Sequence, residues 1–182
     1  HLNTTDLIGA SSTAVTVLTV GTNVSGGDTW HSMVSGQASA ARTGGGYGLT
    51  TMDAGNTTYG YWINDHINNR VSVPWVDQPT MILEGEFGSG SLEFYQNALL
   101  TGSDIYVGQV GDNGSTVIGG GPGSNNNHRG DISEVVIYNK KLNATDRHRV
   151  NSYLAVKYGQ TLDRTSVSGN YVSSAGTVIY ND

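Results

Sequence analysis

Cysteine is absent from this chain of 182 residues, and proline occurs only three times. Without cysteine there can be no disulfide framework, no thiolate nucleophile and no cysteine zinc site, so only packing or an oxygen-ligated cation could reinforce the fold. Charged residues make up 13% of the chain, and 9 Lys and Arg against 15 Asp and Glu leave a net charge of -6. An acidic chain without basic patches is not expected to bind nucleic acid or an anionic membrane surface. No apolar run reaches the length of a transmembrane helix, so membrane insertion is not expected either.

Small and polar residues dominate instead. Glycine numbers 26, and Thr, Ser and Asn number 19, 18 and 16. Segments rich in β-branched and aromatic residues recur at short intervals between turn-forming residues, which is typical of antiparallel sandwiches and barrels. Strands are predicted at residues 14–20, 30–34, 47–52, 58–64, 80–87, 92–96, 104–107, 116–118, 131–139 and 177–180.

Residues 143–159 break this pattern and predict one amphipathic helix. Asn143 is a good N-cap, Asp146 follows it as a weak capping box, and Gly159 is a suitable stop. The apolar residues at helical spacing, which we expect to form the buried face, are Val150, Tyr153, Leu154 and Tyr158.

Two consecutive segments carry a family resemblance. Residues 130–142 (GDISEVVIYNKKL), followed by residues 152–159 (SYLAVKYG), resemble the closing motif of laminin-G-like, concanavalin A-like jelly-roll domains of large bacterial secreted and cell-surface proteins. Residues 73–75 (VPW) and 92–97 (LEFYQN) fit the same template. The resemblance implies an all-β, two-sheet antiparallel jelly-roll sandwich with one short α-helix.

The same resemblance implies a division of the chain. We expect a laminin-G-like domain at residues 1–162 and, at residues 163–182, a C-terminal tail or the start of the next module. The chain starts at His1 without a Met or a signal-peptide pattern, which also favours a fragment of a larger multidomain protein. The expected location is extracellular or on the cell surface.

One stretch has the residue types of a carbohydrate site. Sugar recognition uses aromatic rings as stacking platforms and polar side chains as hydrogen-bond partners, and residues 59–70 (YGYWINDHINNR) mix both. Alternation along the strand places Tyr59, Tyr61 and Ile63 on one face and Trp62 on the other, so that one set enters the core. The predicted ligand-binding residues are Trp62, Asn64, Asp65, His66 and Asn68.

Calcium is the cation that this composition could bind, because it takes oxygen ligands from Asp, Asn and backbone carbonyls in irregular loops. Laminin-G-like relatives carry calcium near the rim of the sandwich, which the resemblance extends to this chain. The predicted ligands come from two loops and are Asp112, Asn113, Asn125 and Asp131.

A glycosidase on this fold would need two carboxyl groups flanking the bond that it cleaves. Glu84 and Glu86 point to one face of a predicted strand, and Glu134 shares a face with Ile132. The Glu-x-Asp-x-x-Glu motif of laminarinase-type hydrolases is absent, and the five histidines match no catalytic or metal-binding motif.

The preferred hypothesis is therefore a non-catalytic extracellular binding or adhesion module that recognises carbohydrate or another surface ligand, assisted by calcium. The first alternative is a glycoside hydrolase or polysaccharide lyase of the same fold that uses Glu84 and Glu86. The second alternative is a structural spacer domain of an adhesin, with no ligand. A superfold of this kind hosts all three, so the site residues must decide between them.

Overall fold

The computed structural model describes residues 2–24, 31–36, 43–51, 58–65, 67–74, 78–111, 114–121, 127–163, 165 and 170–181. Its strands are β1 (Leu2–Asn3), β2 (Val15–Asn23), β3 (Ser32–Gly36), β4 (Thr43–Thr51), β5 (Thr58–Asp65), β6 (Arg70–Pro74), β7 (Gln78–Gly88), β8 (Ser91–Gln96), β9 (Leu99–Ile105), β10 (Thr116–Ile118), β11 (Ile132–Tyr138), β12 (Asn170–Val172) and β13 (Val178–Asn181). One helix, α1 (Ala144–Tyr158), lies between β11 and β12.

Two large antiparallel sheets form the body of the fold. The six-stranded sheet has the order β1-β10-β3-β4-β5-β6, and the five-stranded sheet has the order β11-β2-β7-β8-β9. Both sheets combine strands that are distant in sequence, as expected for a jelly roll. The predicted fold class, an all-β two-sheet jelly-roll sandwich with one helix, is confirmed.

The main core lies between the two sheets. Successive side chains of a strand point to opposite faces, so Val15 and Val17 of β2 face inward, where they meet Tyr61 and Ile63 of the six-stranded sheet. Of the two faces predicted for β5, the one that carries Tyr59, Tyr61 and Ile63 enters this core, since all three are buried in the cluster.

A second core covers the outer face of the five-stranded sheet. Leu18, Val20 and Ile82 point away from the sandwich and pack against Leu154 and Ala155 of α1. The molecule therefore has three layers, in which strands β2 and β7 of the five-stranded sheet are buried on both faces.

Helix α1 begins and ends where the sequence predicts. The side chain of Asn143 accepts a hydrogen bond from the backbone N–H of Asp146 at 2.8 Å, and Gly159 takes a left-handed conformation with φ of 65°. The predicted buried face is only partly right, because Tyr153 is 50% exposed while Asn151 and Ser152 are buried. The helix is covered by the sheet on one side and by the following hairpin on another, so its buried surface extends to polar positions.

The hairpin β12–β13 packs against α1. The backbone N–H of Val172 donates to Ser152 Oγ at 3.1 Å, and a ring nitrogen of His148 lies 2.6 Å from the carbonyl oxygen of Asn170. Within the part of the chain that the structure describes, no helix has the length and apolar character needed to cross a membrane.

The strand predicted at residues 104–107 is displaced in the structure. Asn97 and Ala98 both have positive φ, 47° and 69°, which is the backbone of a tight hairpin turn. Strand β9 therefore begins at Leu99, directly after this turn, and ends at Ile105.

Candidate functional sites

The predicted ligand-binding residues lie at the end of β5 and in the turn that follows. Trp62 is completely buried, and its indole ring crosses the neighbouring strand so closely that a Cβ at Gly48 would lie 2.7 Å from its Nε1 atom. The expectation that Trp62 presents its ring to a ligand is not met in this structure, because the side chain is completely buried.

Asn64 is a structural clamp. Its backbone has a positive φ of 59°, and its amide Nδ2 donates to Tyr106 Oη at 2.7 Å and to the carbonyl oxygen of Gln109 at 2.6 Å. Its Oδ1 accepts from the backbone N–H of Gly111 at 2.7 Å. The Asn64 side chain holds the segment after β9 against the end of β5. These contacts use most of the hydrogen-bonding capacity of its amide group.

Asp65 and Asn68 form one rigid turn. The Asp65 carboxylate accepts from the backbone N–H of Ile67 at 2.8 Å and from the amide Nδ2 of Asn68 at 2.8 Å. Asn68 is exposed, so the turn presents its polar edge to solvent. His66 lies outside the described residues, and the assignment of this group to ligand binding stays a prediction.

Of the four predicted calcium ligands, only Asp131 lies within the described residues. It is exposed, and its backbone N–H donates to Thr22 Oγ1 at 2.7 Å while its carbonyl accepts from the Thr22 N–H at 2.9 Å. Asp112, Asn113 and Asn125 fall outside those residues. Among the described residues there is no cluster of three or more Asp, Glu, His or Cys side chains that could hold a metal ion.

The two carboxyl groups considered for catalysis share one face of β7, as predicted, but that face is covered by α1. Glu84 is 1% exposed and Glu86 is 0% exposed. Glu84 Oε2 accepts from Asn151 Nδ2 at 2.8 Å, and Glu86 Oε2 accepts from Arg147 Nη1 at 3.0 Å. A substrate cannot approach either group while the helix is in place, which does not favour the alternative in which this pair is catalytic.

Other polar side chains extend the network around this pair. Arg147 also lies over the ring of Tyr95, with its guanidinium carbon 4.5 Å from the ring centre. Tyr95 Oη donates to Glu93 Oε2 at 2.6 Å, and Glu93 is paired with Lys141. Burial raises the pKa of Glu84 well above its ordinary value, and the nearby charge of Glu86 raises this pKa further.

A groove that the sequence did not indicate runs between β11, α1 and the terminal hairpin. It has a volume of about 790 Å³ and is lined by Val136 and Tyr138 of β11, Val150, Tyr153 and Val156 of α1, and Ile179 of β13. The helical spacing of Val150 and Tyr153 predicted a buried helix face. These apolar residues were therefore expected in the core and not in a groove.

The charged residues that line this groove form ion pairs with one another. Glu134 pairs with Lys157 at 3.0 Å, and Asp146 pairs with Lys140 at 3.3 Å and with Arg149 at 3.5 Å. The groove is therefore an apolar trough whose rim carries three cations and two carboxylates, all of them ion-paired.

A family described as "Domain of unknown function (DUF8202)" matches residues 146–182, which comprise most of α1 and the hairpin. No curated protein matches the chain. The matched stretch crosses the predicted boundary at residue 162, and the division into domains stays a prediction.

Several solved structures share the fold. The sialidase of Trypanosoma rangeli in complex with 2,3-difluoro-KDN has a TM-score of 0.58 at 17% identity, covering 82% of this chain and 24% of the sialidase. The CBM40 of the Ruminococcus gnavus IT-sialidase, bound to α2,3-sialyllactose, has a TM-score of 0.56 at 9% identity, covering 74% of this chain and 80% of that module. The SAP-like pentraxin of Limulus polyphemus has a TM-score of 0.53 at 16% identity, covering 74% of this chain and 67% of the pentraxin.

These likenesses show a jelly-roll β-sandwich of the concanavalin A-like kind. The chain spans 24% of the length of the sialidase, and it corresponds to most of the length of the CBM40 module.

Proposed function

We propose that the chain is a non-catalytic carbohydrate-binding module. The observation that carries this proposal is the match to the sialidase CBM40, a module that binds sialyllactose and of which 80% is covered. At 9% identity the match shows only the fold, so the ligand is carried over by analogy and needs a test of its own.

Our proposal puts the contact at the turn between β5 and β6. Asn68 lies in a turn that the Asp65 carboxylate already holds in place, so its amide can meet a sugar hydroxyl without a further ordering cost. Arg70 begins the next strand directly after this turn, and we include its guanidinium in the proposed contact.

A glycan array with neutral and sialylated oligosaccharides, followed by calorimetry on the best ligands, tests this proposal. We expect Asn68→Ala to weaken binding about fivefold, since removing one hydrogen bond to a neutral ligand costs about 1 kcal/mol. Asn139→Ala is the matched control, because Asn139 is an exposed Asn in the turn after β11 and should leave binding unchanged.

Two results would contradict the proposal. An array without any bound glycan would remove carbohydrate binding itself and favour the spacer. Binding that is lost in Tyr153→Ala but retained in Asn68→Ala would move the site to the groove beside α1 and overturn the placement at the turn.

A spacer domain without a ligand is the second candidate function. The burial of Trp62 favours it, since a spacer needs no exposed aromatic platform. A hydrolase or lyase that uses Glu84 and Glu86 has less support, because both carboxyl groups lie beneath α1.

We extend the proposal to the setting of the domain. The laminin-G-like resemblance of residues 130–142 and 152–159 supports a module of a larger secreted or cell-surface protein, which would meet its glycan outside the cell. We also propose calcium as a cofactor, with Asp131 among its ligands. The support for this is that the predicted ligands are Asp and Asn residues, whose carboxylate and amide oxygens suit calcium.

A further inference from the structure

We propose that Glu84 and Glu86 share one proton, and that this proton fastens helix α1 and the hairpin after it to the sandwich. Losing the proton would loosen the attachment, so the outer layer would open as the pH rises. The proposal concerns the inner side of α1 and does not depend on carbohydrate binding.

Strand register brings the two carboxyl groups to one place. Glu84 and Glu86 are two residues apart on β7 and share its outer face, where their exposed fractions are 1% and 0%. Buried carboxyl groups must find hydrogen-bond partners or lose their charge.

A count of hydrogen bonds leaves one oxygen of each group without a donor. Asn151 of α1 donates to Glu84 Oε2, and Arg147 of α1 donates to Glu86 Oε2. The other oxygen of each group is buried and meets no donor among the described residues. Two carboxylates can only accept, whereas a proton on one of them makes it a donor to the other, which satisfies both oxygens at once.

A count of charges gives the same result. Among the described residues, the network around the pair contains three carboxyl groups, from the buried Glu84 and Glu86 and the partly exposed Glu93, and two partly exposed cations, Arg147 and Lys141. If all three carboxyl groups were ionised, one negative charge would lie uncompensated beneath the helix, which is strongly unfavourable. One proton restores neutrality.

Among the described residues, the other groups that face the pair cannot supply a third positive charge to balance the three carboxylates. Thr16 and Leu18 of β2 face the pair from one side, in register with Glu86 and Glu84. Tyr95 of β8 and Asn151 of α1 face it from the others. All four are neutral, and Tyr95 already donates its hydroxyl proton to Glu93.

The pKa shifts agree with a shared proton. Burial raises the pKa of Glu84 well above its ordinary value, the charge of Glu86 adds to this, and a hydrogen bond between the two side chains acts in the same direction. Asn151 and Arg147 oppose the shift, but they do not reverse it. A raised pKa in the folded state means that stability is complete below the unfolded pKa and is lost as the pH rises towards the folded pKa.

The pair holds more than one turn of helix. Arg147 and Asn151 lie one helical turn apart on the inner side of α1. The residues next to them, His148 and Ser152, form hydrogen bonds with the hairpin. Their partners are Asn170 and Val172. Loosening the carboxyl contact would therefore expose a unit that extends from α1 to β13.

Infrared difference spectroscopy tests the proton directly. At neutral pH we expect the C=O band of a protonated carboxylic acid in the wild-type chain and its loss in Glu84→Gln, which keeps the shape and donates an amide N–H to Glu86. A wild-type spectrum without this band at neutral pH would overturn the proposal, and that measurement needs no variant to fold.

Hydrogen exchange of the α1 amides tests the consequence. After correction for intrinsic rates, the opening constant of α1 in the wild type should rise by up to about tenfold per pH unit between about pH 6 and the folded pKa of the pair. Glu84→Gln should remove this rise.

Glu134→Gln is the matched control, because Glu134 also joins a strand of this sheet to α1 through Lys157. Its carboxylate has a lowered pKa and is fully ionised over the same range, so the rise should persist. An equal rise in wild type and Glu84→Gln would contradict the proposal.

Discussion

At the scale of single residues, close packing explains part of the glycine content. Gly85 of β7 lies on the inner face of the five-stranded sheet, where the ring of Tyr61 from the opposite sheet occupies the space that a Cβ would need. Gly48 accommodates the Trp62 indole in the same manner on the outer face of the other sheet. At these positions glycine allows a large ring to lie against the backbone.

Gly85→Ala should destabilise the protein by about 1–3 kcal/mol, the usual cost of overpacking a well-filled core. The added methyl group would overlap the Tyr61 ring, which is fully buried and has little room to move. The free energy of unfolding, measured by urea denaturation, checks this value.

Gly9→Ala is the control for this prediction, because a Cβ there would meet nothing within 4 Å. It should change the free energy of unfolding by less than about 0.5 kcal/mol. Equal stability of both variants would mean that Tyr61 can shift and that the core is looser than the structure indicates.

Residue-level prediction from the sequence succeeded for strand faces and failed for exposure. Alternation correctly put Glu84 and Glu86 on one face and Tyr61 on the face opposite Trp62. It could not reveal that α1 covers the carboxyl pair, because that helix is distant in the sequence, and it did not show that Trp62 is buried.

At the scale of elements, α1 was predictable because its end signals are local. The cap at Asn143 and the left-handed Gly159 act within a few residues of the helix. The side-chain faces of strand β11 were harder to predict. Simple alternation predicts one shared face for Ile132 and Glu134, but a register shift between them puts these two residues on different faces. Strands β1, β6 and β12 were missed, since short strands carry too little pattern to be recognised alone.

Asn143→Ala should cost about 1 kcal/mol of stability through the loss of the helix cap. Asn143→Ser, which keeps an uncharged side-chain acceptor for the Asp146 N–H, should retain most of that stability, and the urea denaturation of both variants checks the difference. If Asn143→Ser were as unstable as Asn143→Ala, the cap would not explain the loss.

At the scale of the whole molecule, composition and spacing predicted two layers, and the structure has three. The added layer, α1 with the β12–β13 hairpin, builds a second core on the outer face of the five-stranded sheet. The sequence indicated the helix but not the strands on which it packs. The position of the helix depends on contacts between distant residues, such as Glu86 with Arg147, 61 residues apart. The calcium assignment is likewise non-local, because its ligands come from separate loops whose proximity the sequence cannot show. The carbohydrate assignment rests on one local stretch, residues 59–70.

The calcium proposal is tested on the intact chain by thermal unfolding in calcium and in EDTA. A cation that binds only the folded state stabilises it by about 2.7 kcal/mol at 100 times its Kd, which corresponds to about 5–10 °C in Tm for a chain of this size. Asp131→Asn should reduce the shift while keeping the backbone contacts to Thr22, and Asp104→Asn, at an exposed Asp of β9, should leave it unchanged. A Tm that is equal in calcium and EDTA would remove calcium from the proposed function, and an equal shift in both variants would exclude Asp131 as a ligand.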